Sequence, residues 1–135
     1  MAQERSFIDS NLLLYLLSND QSKADRVEAL LLKPSVISAQ VLNEVTSVAR
    51  RKLAKTWVEL DDLLGTLREI CEVEPLTEDT YDHGRRICER YKLSLYDSMI
   101  AAAALLGQCQ TLYSEDMQDG LMIDGHLQIK NPFLH

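Results

Sequence analysis

The stretch that decides the fold is Ser6-Phe7-Ile8-Asp9-Ser10-Asn11, in which a short apolar run is followed at once by an acidic residue. Five leucines between positions 12 and 17 come directly after it. We interpret this pattern as a first β-strand that delivers Asp9 to its carboxyl end, ahead of a helix. Open α/β sheets bind their ligands outside the carboxyl ends of their strands. Asp9 is therefore the first candidate for chemistry, and its alternative role is that it, or Ser10, simply caps the following helix.

The length and composition indicate one globular domain spanning residues 1–135. A chain of 135 residues with 46% hydrophobic content is large enough to bury one core. No apolar run approaches the roughly 20 residues that span a bilayer, and no basic leader precedes the leucines. We expect a protein of the cytoplasm that does not contact a membrane.

The cysteines and histidines give no sign of a zinc site or a disulfide framework. They number three each and lack the paired spacing of such sites: Cys71, Cys88, Cys109, His83, His126 and His135. We expect reduced thiols and histidines without a special role.

The charge distribution is more informative than the net charge of −7, which argues against binding nucleic acid by bulk electrostatics. Eight of the 14 basic residues lie in two short stretches, namely Arg50, Arg51, Lys52 and Lys55, and Arg85, Arg86, Arg90 and Lys92. Either stretch can form a local positive patch on an acidic protein. The alternative is two solvated helix faces.

The rest of the chain alternates between patterns typical of strands and of helices. The predicted elements are a helix from residue 20 or 22 to about 32, a strand at 36–37, a helix at 40–51, an edge strand at 72–76, a helix opened by Thr77, a buried helix at 98–106 behind a capping box at 94–97, a strand at 111–113 and a last strand at 127–129. In the helix at 40–51, Glu44 falls at the border of the apolar stripe.

A narrow apolar seam predicts one further long helix. Leu53, Trp57, Leu60, Leu64 and Leu67 recur at intervals of four, three, four and three. Such a seam packs either on the core or against another subunit.

Strands alternating with helices predict an α/β three-layer sandwich around a mostly parallel sheet of four to five strands. The carboxyl ends of parallel strands share one edge of the sheet. Asp9 follows the first strand, Glu44 lies in the early turns after the second, Asp97 opens the buried helix, and Asp116 follows a later strand. We therefore expect these four acids to converge on one crevice.

Convergence of four carboxylates calls for a cation. Two carboxylates about 4 Å apart repel by roughly 4 kcal/mol at an effective dielectric near 20. Carboxylate oxygens suit Mg²⁺ or Mn²⁺, and such an ion can activate water and offset charge on a phosphoryl group. The four converging acids are therefore the candidates to hold such an ion, with Ser10 and Asn11 as the supporting residues.

Four blocks of sequence together resemble the PIN-domain family, and within it the VapC-like toxin ribonucleases. The blocks are Phe7-Ile8-Asp9-Ser10-Asn11, Glu44, Leu95-Tyr96-Asp97-Ser98-Met99-Ile100-Ala101-Ala102, and Tyr113-Ser114-Glu115-Asp116. The resemblance implies that Asp9, Glu44, Asp97 and Asp116 form the acidic site, with Ser114 as the hydroxyl beside the last acid. It also implies an Mg²⁺- or Mn²⁺-dependent ribonuclease acting on single-stranded RNA, a homodimer, and a cognate antitoxin protein.

In such a ribonuclease Asp9, Asp97 and Asp116 are the expected metal ligands, Glu44 is the fourth catalytic acid, and Asp119 is an acid that can reach the metal through water. The candidates for RNA binding are the basic residues Arg50, Arg51, Lys52, Lys55, Arg85 and Arg86.

Two features depart from the family pattern. Ser114 stands where the family often has threonine, which keeps the hydroxyl, and Glu115 and Asp119 crowd the fourth block. Two other functions compete with the toxin hypothesis. One is a binding module that keeps the fold and acts through protein partners. The other is a phosphotransfer domain, which would need an aspartate where Asn11 stands.

Overall fold

The computed structural model describes residues 4–134, which form a six-stranded sheet with helices on both faces. The helices are α1 (Ser10–Leu13), α2 (Gln21–Leu31), α3 (Ala39–Arg51), α4 (Trp57–Ile70), α5 (Glu78–Tyr91) and α6 (Leu95–Leu106), with a 3-10 segment at Leu14–Leu17 between α1 and α2. The strands are β1 (Ser6–Ile8), β2 (Ser35–Ser38), β3 (Cys71–Glu74), β4 (Thr111–Tyr113), β5 (Met122–Ile123) and β6 (Leu127–Lys130).

The direction in which successive strands are added to the sheet reverses next to β1. The sheet reads β3-β2-β1-β4-β6-β5, and every neighbouring pair is parallel except β5 with β6. The chain moves outward from β1 through β2 to β3, and then crosses back to β4 on the other side of β1. The β1–β4 boundary is therefore a topological switch point, where open sheets form a crevice at the carboxyl ends of their strands.

Because crossovers are right-handed, the reversal places the later helices on the opposite face of the sheet. Helix α3 packs against α1 and α4, whereas α5 packs along α6. The core between these layers is apolar, with Phe7, Ile37 and Leu112 fully buried in the central strands. Residues 101–104 of α6 are all buried alanines, which confirms the prediction of a buried, closely packed helix.

The predicted fold class is confirmed, but the sheet has six strands rather than four to five. The additional strand, β5, has only two residues and pairs antiparallel with β6 through a tight turn. Asp124 and Gly125 both have positive φ values in that turn, and Asp-Gly is a strong signal for a hairpin. Strand β3 lies at the sheet edge as predicted, although it ends at Glu74, directly before Pro75.

The seam from residue 53 to 67 was predicted to form one helix, and this was wrong at its start. Ala54 adopts a left-handed conformation with φ of 51°, and the helix begins only at Trp57. Thr56 and Glu59 form a capping box that satisfies the first free backbone amides of α4. Leu60 and Leu67 pack into the core of this chain, whereas the Trp57 side chain is exposed.

The three cysteines are free thiols, as expected, with Cys71 and Cys109 buried and Cys88 half-buried. His135, which was expected to have no special role, lies outside the described residues. None of the helices within residues 4–134 has the length and apolar character that crossing a membrane requires.

Candidate active site

Asp9 lies at the end of β1 and is held by groups from two strands. Its backbone amide donates to the Tyr113 carbonyl of β4, and its carboxylate caps α1 by accepting from the Ser10 amide at 2.8 Å. The second carboxylate oxygen accepts from the Ser114 hydroxyl at 2.9 Å and from the Asn11 amide at 3.2 Å. Asp9 is thus both a helix cap and a member of a polar network at the switch point.

Asn11 and Ser114 connect the acid of β1 to the acid that follows β4. The side-chain amide of Asn11 donates to the Asp116 carboxylate at 3.1 Å as well as to Asp9. The fully buried Ser114 hydroxyl also accepts from the backbone amides of Asp116 and Met117, both at 3.3 Å. The Asn11 amide therefore bridges the two carboxylates, and the Ser114 hydroxyl connects the Asp9 carboxylate to the backbone of Asp116.

Glu44 joins the same rim from α3. Its carboxylate accepts from the Ser10 hydroxyl at 3.2 Å, and the residue is half-buried, as its position at the border of the apolar stripe predicted. Asp97 lies in the first turn of α6, where the Ser94 hydroxyl accepts from its backbone amide at 3.1 Å. The four predicted acids thus project from β1, α3, α6 and the end of β4 toward one edge of the sheet.

Three of the four carboxylates, those of Asp9, Glu44 and Asp97, are buried or half-buried, which raises their pKa values. Asp116 is exposed. Burial is the largest cause for Asp9, whose pKa rises to about 6 although hydrogen bonds from Ser114 and Ser10 oppose the rise. The charges of Glu44 and Asp97 raise the pKa of Asp9 further. Burial, and then the charge of Asp97, raises the pKa of Glu44, while burial and the charge of Asp116 raise that of Asp97. The four acids therefore form one electrostatically coupled set.

The set contains no compensating cation. None of the ion pairs formed within residues 4–134 includes Asp9, Glu44, Asp97 or Asp116. Their oxygen donors suit a hard divalent ion. In the described part of the chain, however, no three Asp, Glu, His or Cys side chains are close enough to hold a metal as they stand. Binding an ion would require these carboxylates to move closer together.

The two other acids of the fourth block have different partners. The Glu115 carboxylate pairs with Lys23 at 3.1 Å and accepts from the Tyr15 hydroxyl at 2.5 Å. The Lys23 ammonium also lies over the rings of Tyr15 and Phe133. This contact holds the loop after β4 against α2, and the sequence patterns did not reveal it. The Asp119 carboxylate accepts from the backbone amide of Asn131 at 2.7 Å.

Several residues of the two basic stretches have partners within the protein. Arg50 donates to the Lys55 carbonyl and stacks on the Trp57 ring at 4.6 Å, which organises the turn between α3 and α4. Arg51 and Lys52 are exposed at the end of α3, and Lys55 lies 3.8 Å from Glu59.

On α5, Arg86 binds the Asp124 carboxylate through both of its terminal nitrogens, whereas Arg85 is exposed beside Glu89. Arg50 and Arg51 therefore lie on the same helix as Glu44, with Lys52 as its C-cap and Lys55 in the loop that follows. The second stretch includes a cation already paired with the β5–β6 turn.

The fold and site define an α/β protein with an acidic crevice at its switch point, and comparison with known proteins identifies the family. The PIN domain family model matches residues 6–118. The chain therefore belongs to the PIN domain family. No curated protein sequence matches it at a significant level.

Solved structures of related fold are toxins and toxin–antitoxin complexes. A toxin–antitoxin complex from Klebsiella pneumoniae matches with a TM-score of 0.70 and 22% identity, covering 94% of this chain and 97% of that one. The VapC20 toxin of Mycobacterium tuberculosis, which cleaves the sarcin–ricin loop, matches with a TM-score of 0.64 and 18% identity over 82% and 91% of the two chains. VapBC2 of Rickettsia felis, bound to promoter DNA, matches with a TM-score of 0.65 and 18% identity over 94% and 99%. These likenesses extend the agreement in fold over nearly the whole chain.

Proposed function

We propose that this protein is a metal-dependent endoribonuclease that hydrolyses phosphodiester bonds in single-stranded regions of RNA, and that it is the toxin of a toxin–antitoxin pair. The observation that carries the proposal is that Asp9, Glu44, Asp97 and Asp116 lie around the β1–β4 switch point and form no ion pair within residues 4–134. The fold shared with the sarcin–ricin-loop-cleaving toxin supports RNA as the substrate.

In this proposal Asp9, Asp97 and Asp116 hold Mg²⁺ or Mn²⁺, and Glu44 adds a fourth negative charge at the crevice. When bound, the ion would lower the pKa of a water molecule and offset the charge that develops on the phosphoryl group. Ser114 and Ser10 orient the Asp9 carboxylate, while Asn11 fixes its spacing from Asp116. These hydrogen bonds fix the orientation of Asp9 in advance, whereas the other carboxylates would still have to approach a bound ion.

The basic residues at the end of α3 are proposed to steer the RNA backbone. Arg51 and Lys52 are exposed there, about two helical turns beyond Glu44. Phosphate contacts position a nucleic acid without reading its sequence. Arg85 can add to this field from α5, whereas Arg86 would first have to leave Asp124.

A protein antitoxin is the proposed partner, since several proteins of the same fold were solved as toxin–antitoxin complexes. An apolar groove between the 3-10 segment, α2 and α4 offers one surface for protein contacts, with a volume of about 470 Å³. Leu32 and Ile70 at its border are largely exposed, and apolar patches of this kind mark interaction sites. We also propose that the protein forms a homodimer in the cytoplasm.

The same groove favours a second candidate function, a PIN-fold binding module that acts through protein partners without cleaving RNA. The two functions differ in what the acidic crevice does. A binding module has no need of Asp9 or Asp97, whereas the nuclease loses its activity without them.

The deciding experiment compares RNA cleavage by the purified, partner-free protein with that of Asp9→Asn and Asp97→Asn. Asp61→Asn is the matched control, because Asp61 is an exposed acid on α4. We expect cleavage that needs Mg²⁺ or Mn²⁺, stops on chelation, falls at least roughly 100-fold in both site variants and stays unchanged in the control. Cleavage that persists in both site variants, or that is absent with every metal tested, contradicts the ribonuclease assignment.

A further inference from the structure

A cavity of about 410 Å³ adjoins the acidic crevice and has no role in the proposed metal chemistry. It lies between α3, the loop after β3 and the first turn of α6, and its lining residues are Gln40, Asn43, Glu44, Ser47, Leu76 and Tyr96. Glu44 belongs to both the cavity and the four-acid set, and Tyr96 directly precedes Asp97. The cavity is therefore continuous with the proposed cleavage site.

Tyr96 gives the cavity an aromatic wall that the fold itself does not use. Its side chain is 71% exposed, and no group within residues 4–134 hydrogen-bonds to its hydroxyl. The backbone around it is fixed, because the buried Gln40 donates from its side-chain amide to the Tyr96 carbonyl at 3.2 Å. Leu76, 54% exposed, lines the same cavity. A solvent-facing aromatic ring on a fixed backbone, beside an apolar side chain, suits a flat heterocycle.

The polar lining of the cavity comes from the exposed face of α3. Asn43 presents two amide donors and one carbonyl acceptor to solvent, a set that can bond to the edge of a base. None of the described residues that line the cavity is a lysine or an arginine, so the cavity is poorly suited to binding a phosphate. Cations begin just beyond it, where Arg51 donates to the Ser47 hydroxyl at 3.2 Å. Arg51 is seven residues from Glu44, or about 10 Å along the helix.

Along this surface, the acidic crevice is followed by the cavity that Tyr96 lines, and the cavity is followed by the Arg51 guanidinium. We infer that the cavity is a nucleobase subsite, in which Tyr96 stacks on a base of single-stranded RNA next to the scissile phosphate and Asn43 contacts the edge of that base. Arg51 then receives a neighbouring phosphate. The inference rests on the proposed ribonuclease function, and it identifies a nucleobase as the part of the RNA that the site selects.

The test uses the full-length protein and short single-stranded RNAs in which one abasic nucleotide is moved stepwise past the cleavage position. Tyr96→Ala removes the ring, Tyr96→Phe keeps it, and Tyr81→Ala is the control, since Tyr81 is a similarly exposed tyrosine on α5. In wild type and Tyr96→Phe, one abasic position should raise KM by roughly 10- to 100-fold.

Tyr96→Ala should raise KM by a similar factor on intact RNA, and the abasic penalty at that position should disappear. Asn43→Ala should change the preferred base at the same position with kcat retained. The melting temperature should be unchanged in the variants of Tyr96 and Asn43, because both of these side chains are exposed.

The inference is overturned if wild type cleaves RNA and Tyr96→Ala behaves like Tyr81→Ala, or if Tyr96→Ala weakens only the binding of a protein partner. Binding of the same oligonucleotides, measured by fluorescence anisotropy, separates this inference from the proposed function. Oligonucleotide binding that depends on Tyr96 without cleavage supports the subsite and contradicts the nuclease. The absence of both binding and cleavage contradicts both.

Discussion

At the scale of single residues, Ser114 connects the two acids that flank the switch point. Its hydroxyl donates to Asp9 and accepts from the amides of Asp116 and Met117, within a fully buried position. The family resemblance predicted a hydroxyl near the last acid. The structure adds that this hydroxyl binds the first acid as well.

Ser114→Ala should therefore impair both stability and cleavage. It leaves a buried carboxylate without its hydroxyl donor and two amides without their acceptor, which costs about 1–3 kcal/mol of unfolding free energy. Urea unfolding and RNA cleavage at saturating metal measure the two effects, and we expect cleavage to fall at least tenfold.

Ser98→Ala is the matched control for Ser114→Ala. Ser98 is equally buried, but its hydroxyl has no hydrogen-bond partner within the described residues. Ser114→Thr keeps the hydroxyl and should retain more activity than Ser114→Ala. Equal losses in Ser114→Ala and Ser98→Ala would show that the Ser114 hydroxyl has no special role.

The four acids could be predicted from the sequence because strand order and parallel pairing determine where strand ends meet. The contacts around them could not be predicted in this way. In the sequence, Tyr96 is only one more residue near the N-terminus of a helix. Lys23 is only one residue of a solvated helix. Their roles depend on α3 reaching the start of α6, and on α2 reaching the loop after β4.

At the scale of elements, the short β5–β6 hairpin is held to α5 by one acid. Asp124 pairs with Arg86 at 2.6 Å, and its backbone amide donates to the Tyr91 hydroxyl at 2.7 Å. The guanidinium of Arg86 is the largest cause of the lowered pKa of Asp124. The hairpin escaped prediction because β5 has only two residues, too few for a strand pattern, and because its attachment to the protein comes from this distant pairing.

Asp124→Asn should lower stability at neutral pH and leave it almost unchanged in strong acid. Because the folded-state pKa of Asp124 lies below its ordinary 3.8, the pair stabilises the fold above that pH and stops doing so as the pH falls through the folded value. Arg86 is 45% exposed, so we expect no more than about 1 kcal/mol at pH 7.

Asparagine tolerates the left-handed backbone of residue 124, so Asp124→Asn removes the charge without straining the turn. Urea unfolding of the variant and wild type between pH 7 and pH 2 measures the effect. A stability difference that stays constant over that range would contradict the electrostatic account.

At the scale of the whole molecule, the protein has a net negative charge and also places four carboxylates at one edge of its sheet. The net charge of −7 adds a general repulsion to the local one, and both are relieved by a bound divalent cation. A ligand that binds only the folded state stabilises it by about 2.7 kcal/mol at 100 times its Kd.

Mg²⁺ or Mn²⁺ should therefore raise the melting temperature of wild type and of Asp61→Asn by several degrees. The rise should be much smaller in Asp9→Asn and Asp97→Asn, since each lacks one proposed ligand. Sodium chloride at matched ionic strength separates specific binding from screening of the overall charge. A metal-induced rise of the same size in all four proteins would place the ion elsewhere.

The sequence by itself determined the class of fold and the order of the main strands and helices, and it predicted the four acids of the candidate site. These follow from local patterns, because hydrophobic periodicity, capping residues and strand-end acids act over a few neighbouring positions. Only the tertiary structure decided the sixth strand, the late start of α4, the partners of Glu115 and Arg86, and the cavity beside Tyr96. The partners of Glu115 and Arg86 and the cavity depend on groups far apart in the chain, whose distance is settled only when the helix layers pack on the sheet. The sixth strand and the start of α4 depend on nearby residues, but the apolar pattern does not reveal the left-handed backbone at Asp124 and Ala54.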